Sequence, residues 1–308
     1  MGARTTQKQA GRVLVALLGL GRVAHAGPFD DPYDLPNAPR PPTLPELTHP
    51  DLEATLEATM GVISPRGTNV STVAYVQRVA LEIPVGARRW FVGSNYETAA
   101  SAAYGAFALV GGNLEVSGRT VWATRTGLAF GGGLGVVAPT GDFGGDPRRG
   151  SIAQDAAMLR PWSHASFEPA VFGLRPFVDV RSLDGPLVIQ FRQGLDWLWS
   201  VRDGEQRRLA ALFGLYLGYR FGNWLSAGLE SFELYLMDRS VADSDRVSLV
   251  LSPSARLALP YVEPTVSAFM SLGSTMEGRA DRVWGIRVAV TLVYDTSQRR
   301  IEVAPTGR

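Results

Sequence analysis

The chain has no cysteine and only three histidines among its 308 residues. Without cysteine there is no disulfide framework, and no lipid-bearing residue behind an export signal. With so few histidines and no His/Cys/Asp set at ligand spacing, neither a metal nor a cofactor is expected. Lysine is almost missing: Lys8 is the sole one, and every other cation is arginine. Arginine suits phosphate and carboxylate contacts, although usage this uniform points first to genome base composition. Long apolar runs are missing as well, and mean hydropathy is close to zero. That excludes a helical membrane protein but not a membrane β-barrel, whose strands are only half apolar.

One short apolar run stands at the N-terminus. Arg4, Lys8 and Arg12 precede Val13 to Leu20, and Ala24-His25-Ala26 follows as an A-x-A cleavage pattern. A spanning helix needs about 20 apolar residues, so this run reads as a secretory signal. Residues 1–26 are therefore expected to be a signal peptide. Beyond it lie 26 basic and 29 acidic residues, a net charge of −3 that offers nothing to nucleic acid. Residues 27–50 carry eight prolines and read as an extended periplasmic linker. Residues 51–294 form the expected barrel domain, and 295–308 a polar C-terminal tail.

Leu187 to Val201 (LVIQFRQGLDWLWSV) carries the strongest pattern. Its odd positions are apolar and aromatic except for Gln193, while its even positions include Arg192 and Asp196. A period of two is a strand, and its length suits a tilted transmembrane strand of about 9–11 residues rather than a globular one of about 5–6. Eleven similar segments accompany it, the weakest being Leu52 to Ile63, whose LEATLEAT could equally make a short helix. Ser117-Gly118-Arg119 reads as a tight turn between Gly105 to Val116 and Thr120 to Val137, while Gly111-Gly112-Asn113 is a rival turn. Trp224 to Met237 shifts its apolar phase near Ser231, the mark of a bulge.

Long and short connections alternate along the chain, as in outer-membrane barrels with short periplasmic turns and long exterior loops. The fold class expected is all-β: an antiparallel transmembrane β-barrel of about 12 strands, range 10–14. Three features set the apolar phase toward lipid. The strands are too many for a small packed barrel. The polar phases hold Arg125, Arg175, Asp179, Arg192, Asp196, Arg220, Arg256 and Arg287, charges that a lipid face excludes and a lumen accepts. Trp90, Trp122, Trp197, Trp199, Trp224, Trp284 and several Tyr and Phe sit near segment ends, as interfacial girdles do.

Chemistry is sparse. Only His164, in the long loop Ala138 to Ser166 with Asp142, Asp146 and Asp155, offers a hydrolase or protease site. The Gly, Pro, Arg and Asp content of that loop describes more simply a solvated excursion, so no catalytic residue is assigned. Gly131-Gly132-Gly133-Leu134-Gly135 precedes Val136-Val137-Ala138-Pro139, which starts no helix. It therefore fails as a phosphate loop and leaves room in the wall or lumen instead. The inward arginines and acids either create a selective field or pair and hold the lumen shut.

The stretch Leu134 to Phe143, with Pro139-Thr140-Gly141-Asp142 at its centre, resembles a recurring P-T-G-D pattern. That pattern occurs in outer-membrane proteins associated with phenol meta-cleavage pathways, relatives in architecture of hydrophobic-substrate channels. The resemblance implies a roughly twelve-stranded barrel passing small apolar molecules. The last strand would end on Tyr294, with the polar tail beyond it. The expected protein is thus an exported outer-membrane barrel of a Gram-negative envelope. Its expected role is passive, channel-type transport of a small solute, and its partners are membrane lipid, that solute and the barrel assembly machinery. Two alternatives stand beside it: a structural or adhesive barrel with a blocked lumen, and a barrel hydrolase using His164.

Overall fold

A computed structural model describes residues 41–43, 52–67, 71–85, 90–101, 108–124, 127–141, 143, 146–201, 207–221, 224–237, 242, 245–259, 261–273 and 278–294. Residues 1–26, where a signal peptide is expected, nearly all of the proline-rich stretch, Arg125, Asp142 and the tail 295–308 lie outside the described residues. Thirteen strand segments follow in order: β1 (Leu52–Pro65), β2 (Thr72–Val85), β3 (Trp90–Ser101), β4 (Leu109–Gly111), β5 (Leu114–Ala123), β6 (Leu128–Ala138), β7 (Val171–Asp184), β8 (Leu187–Ser200), β9 (Arg207–Phe221), β10 (Leu225–Leu236), β11 (Val247–Leu257), β12 (Val262–Leu272) and β13 (Ala280–Tyr294). Between β6 and β7 lie a helix, α1 (Pro147–Leu159), and a 3₁₀ helix (Pro161–Phe167).

Each strand pairs antiparallel with its sequence neighbour, and β1 pairs with β13, so the sheet closes on itself. Segments β4 and β5 both pair with β3, at opposite ends of it, and make one interrupted stave. The barrel therefore has twelve staves. Closure leaves no strand edge to lipid, where an unpaired peptide group has no water to bond.

The alternation reads as expected. Val178, Leu217, Val266, Ile286 and Val288 turn outward and are about half exposed, an apolar band with no charge among them. Trp90, Trp122, Tyr219, Phe221, Trp224, Tyr261 and Tyr294 ring the end with the short turns, while Phe172, Trp197, Tyr235 and Trp284 ring the other. This surface is that of an outer-membrane barrel, with aromatic belts at both interfaces.

Three expectations about the wall need correction. Ser117, Gly118 and Arg119 do not turn; they lie mid-strand, paired with Gly93, Val92 and Phe91 on one side and Gly135, Leu134 and Gly133 on the other. The turn comes instead at 124–127, where Thr124 and Leu128 exchange backbone and hydroxyl hydrogen bonds and Gly127 takes a φ of 79° that favours glycine. Gly112 and Asn113 make no hairpin either, but a break after which the inward phase passes from Val110 to Asn113. Finally, β10 keeps one register with β9 and β11 throughout, so there is no bulge at Ser231. Its apolar phase shifts because Phe232, Leu234 and Leu236 face inward and are buried.

If the outer band faces hydrocarbon, Val288→Arg will cost about 2–4 kcal/mol of unfolding free energy in lipid vesicles, against little for Val288→Leu. Equal stability of the two variants would place that face in water.

Candidate functional site

What Phe232, Leu234 and Leu236 face is the β6–β7 loop, which folds into the barrel. The loop was expected to be a solvated excursion, and the structure overturns this. Ile152, Ala153, Ala156, Ala157, Met158 and Leu159 of α1 are buried, together with Phe143 and Phe167 on either side. They join Ile63, Ala74, Val76, Ala99, Val110, Leu212, Leu234, Val250, Phe269 and Val283 of the wall in one apolar cluster. Alanines on α1 let the helix lie close to the strands. Pro147 opens the helix, and the Asp146 side chain caps it by accepting from the Arg148 N–H at 2.9 Å.

The loop is tied to the wall at the interrupted stave. There the Leu114 N–H donates to Thr140 Oγ1 at 2.8 Å, and the Thr140 hydroxyl donates to the Gly112 carbonyl at 3.3 Å. Asn113 donates through Nδ2 to the carbonyls of Ala165 (3.0 Å) and Glu168 (2.7 Å), and accepts from the Gly141 N–H at 3.0 Å. Its own N–H donates to the Ser166 carbonyl. Pro139, Thr140 and Gly141 thus stand in for the missing ladder, at the root of the plug.

Deeper in, the plug ends in charge. Arg160, 1 % exposed, reaches two buried glutamates: Nη1 pairs with Glu57, and Nη2 lies 3.3 Å from Glu97. Ser163 completes the group, accepting from Arg160 Nε and donating to Glu97 at 3.1 Å. These carboxylates hold the Arg160 guanidinium above its ordinary pKa, against the pull of burial. Trp162 meets Phe232 and Phe269 edge-on, with centroids 6.3 and 5.6 Å away.

Below the plug a cavity of about 260 Å³ remains, walled by charges of both signs. Arg175 donates to Asp196 and Glu115 at 2.8 Å each, and to the Trp162 carbonyl at 3.0 Å. Arg192 grips Asp179 with two bonds of 2.6 Å and lies 3.9 Å over the Phe177 ring. Arg256 pairs with Glu263, and Arg119 with Glu82. Arg220 shares the inward phase near the short-turn end, half-buried opposite Ser226. Glycines of β6 make room here: a Cβ on Gly133 would meet the Phe177 ring, and one on Gly135 the Glu115 carboxylate. Pro41 and Pro42 also line the cavity, and Thr43 donates to Glu230 through its N–H and its hydroxyl.

The arginines stood out in sequence together with Asp179 and Asp196, the partners of Arg192 and Arg175, but the glutamate partners were missed. Glu53 and Glu57 sit in the ambiguous LEATLEAT segment, yet they share a period of two with Thr55, Thr59 and Gly61, the signal that would have found them. His164 is 2 % exposed, with Nδ1 3.1 Å from the Pro161 carbonyl and 3.6 Å from Asp196. Burial lowers its pKa, so the ring is neutral at neutral pH. It is built into the plug, where its partners position rather than expose it.

This is a plugged outer-membrane β-barrel. No family model matches the sequence, and no curated protein matches it. Solved structures do resemble it. An outer membrane channel from Pseudomonas putida F1 superposes with a TM-score of 0.60 at 11% identity, over 82% of this chain and 97% of that one. The KdgM porin aligns at 0.46 and 10% identity, over 78% and 99%. The translocator domain of the autotransporter NalP from Neisseria meningitidis aligns at 0.44 and 10%, over 94% and 96%.

Removing the Asn113 side chain leaves buried carbonyls and an N–H unpaired, at about 1–3 kcal/mol. Asn113→Ala will therefore fold as a barrel but expose the 138–170 loop to proteolysis, whereas wild type resists; equal resistance would refute the tether. A second prediction concerns Asp155 of α1, which accepts from Ser101 at 3.1 Å and whose pKa burial raises to about 6. A free aspartate ionises near 3.9. Between about pH 4 and 6, an unseated α1 gains a charge that the seated one lacks. The seat is strongest below that window and weaker above it. Hydrogen exchange of α1 will show protection falling as pH rises through the window, and Asp155→Asn will abolish that fall.

Proposed function

We propose that the barrel is a passive channel for a small solute, with the inward-folded β6–β7 loop as its constriction. One observation carries this reading: the plug packs against an apolar part of the inner wall and leaves a polar cavity of about 260 Å³ below it. A barrel serving only as a scaffold needs no such chamber. The wall that α1 covers is apolar from Ile63 round to Val283 except where Ser101 holds Asp155, so a solute moving along that seam meets mostly apolar surface before it meets the arginines. This favours a small apolar or amphipathic molecule, in keeping with the P-T-G-D resemblance and its phenol meta-cleavage association. The P. putida neighbour, described as an outer membrane channel, agrees in architecture. In this reading Arg175, Asp179, Arg192, Asp196, Arg220, Arg256 and Arg287 line the polar part of the path, and Pro139 to Gly141 anchor the gate. Residues 1–26 direct export, and the assembly machinery inserts the barrel. Catalysis through His164 is not part of the proposal, because its ring is enclosed by the plug.

A second reading, a structural barrel with a closed lumen, draws on the same dense packing of α1. Planar-bilayer recording separates the two. Wild type is expected to show small, intermittent openings, and deletion of 147–159 a several-fold larger and steadier conductance. A deletion variant that folds, judged by heat-modifiable gel mobility, yet conducts no more than bare lipid would leave the structural reading standing.

A further inference from the structure

Six arginines line the cavity, and five of them reach a carboxylate within 3.5 Å. Arg287 does not. Its side chain is 3 % exposed, its Nε donates to Ser267 at 3.1 Å, and its nearest carboxylate oxygen, on Glu57, is 4.0 Å away. Among the described residues Nη1 and Nη2 have no hydrogen-bond partner. The guanidinium lies 5.5 Å from the Trp162 ring, and Trp162 Nε1–H also lacks an acceptor. One corner of the cavity therefore gathers a positive charge and three buried donor atoms for which the described residues supply no acceptor within hydrogen-bond reach. Leaving such groups unpaired costs more than most single interactions return, so the corner is built for an acceptor that arrives from outside the chain.

We propose that this corner binds a small organic carboxylate, its two oxygens taken by Nη1 and Nη2 of Arg287 and its body laid against Trp162. The paired Nη donors match the planar spacing of a carboxylate. Phe232 and Leu212, which also line the cavity, extend the apolar side that Trp162 begins. Glu57 and Glu97 share the cavity, so a second negative charge on the ligand is penalised. The ligand is a monoanion with a compact apolar body. The channel reading supplies only its route of access; binding itself requires no conduction.

Isothermal titration of the full-length barrel in detergent micelles with benzoate, its neutral isostere benzamide and inorganic phosphate tests the site. Expected are saturable benzoate binding, at least about tenfold weaker binding of benzamide and phosphate (about 1.4 kcal/mol), and loss of benzoate binding in Arg287→Met. Benzoate is also expected to raise the unfolding midpoint of the wild type but not that of Arg287→Met, a ligand-dependent shift that a purely structural arginine would not produce. Arg287→Lys, which keeps the charge but not the planar pair, is expected to bind benzoate at intermediate strength. The proposal is overturned by the absence of saturable benzoate binding, by equal affinity for benzamide, or by wild-type affinity in Arg287→Met. Should that variant fail to fold, wild-type affinity in Arg287→Lys overturns it instead. A barrel that binds benzoate but conducts nothing supports this site and refutes the channel; one that conducts without binding does the reverse.

Discussion

A peptide group in hydrocarbon has no water to fall back on, and this constraint organises the whole molecule. It forces the sheet to close, so that β1 meets β13, and it forbids a gap in the ladder at membrane depth. The chain nevertheless interrupts one stave at Gly112 and Asn113. The interruption survives because the β6–β7 loop supplies the missing partners: Thr140 bonds both flanks of the break, and Ser166 accepts from Asn113. The wall therefore depends on the loop as much as the loop depends on the wall. A loop committed to that repair has both its ends held at the inner surface, at Gly141 and at Ala165. The helix between them has nowhere to go but the lumen.

The plug then divides the interior by chemistry. Where α1 lies, inward residues must be small or apolar, because burying polar groups without partners is costly. Below it the same face alternates Arg with Glu and Asp, in pairs that satisfy one another. Arg160 stands at the border and belongs to both halves, its backbone ending the apolar helix and its guanidinium held by Glu57 and Glu97. Trp162 continues the arrangement, with aromatic contacts to Phe232 and Phe269 on the wall and Arg160 and Arg287 each 5.5 Å from its ring.

The strands were legible in sequence because a lipid-facing phase must be apolar at every second residue, a requirement that survives in Leu187 to Ser200 and Trp284 to Tyr294 without further context. Most of the inward charges were legible for the same reason. The plug was not, because its signal is borrowed: a helix with three alanines, one glycine and few large apolar residues looks like a loop until the wall is seen to match it. The trace it leaves is on the other side of the contact. Phe232, Leu234 and Leu236 turn the polar phase of β10 apolar over its last turns, and a sequence pattern alone cannot distinguish that from a bulge. The turn placed at Ser117-Gly118-Arg119 failed for a related reason. Ser117 and Gly118 lie mid-strand, with open space beside Gly118 and both neighbouring strands in register, while Thr124 supplies the real turn with side-chain hydrogen bonds that no periodicity records.

How such a plug can open follows from what its release would cost. Ile152, Met158, Leu159 and Phe167 each gain about 1.5–3 kcal/mol from burial, and removing Arg160 would leave Glu57 and Glu97 buried beside too little positive charge. Complete ejection of α1 into water therefore opposes the sum of these terms at once. A shift confined to the seam beside Trp162 disturbs two aromatic contacts and keeps both the anchor at Asn113 and the helix seat. The proposed passage of a small molecule requires only that lesser movement, and the Arg287 guanidinium stands 5.5 Å from the ring that it would displace.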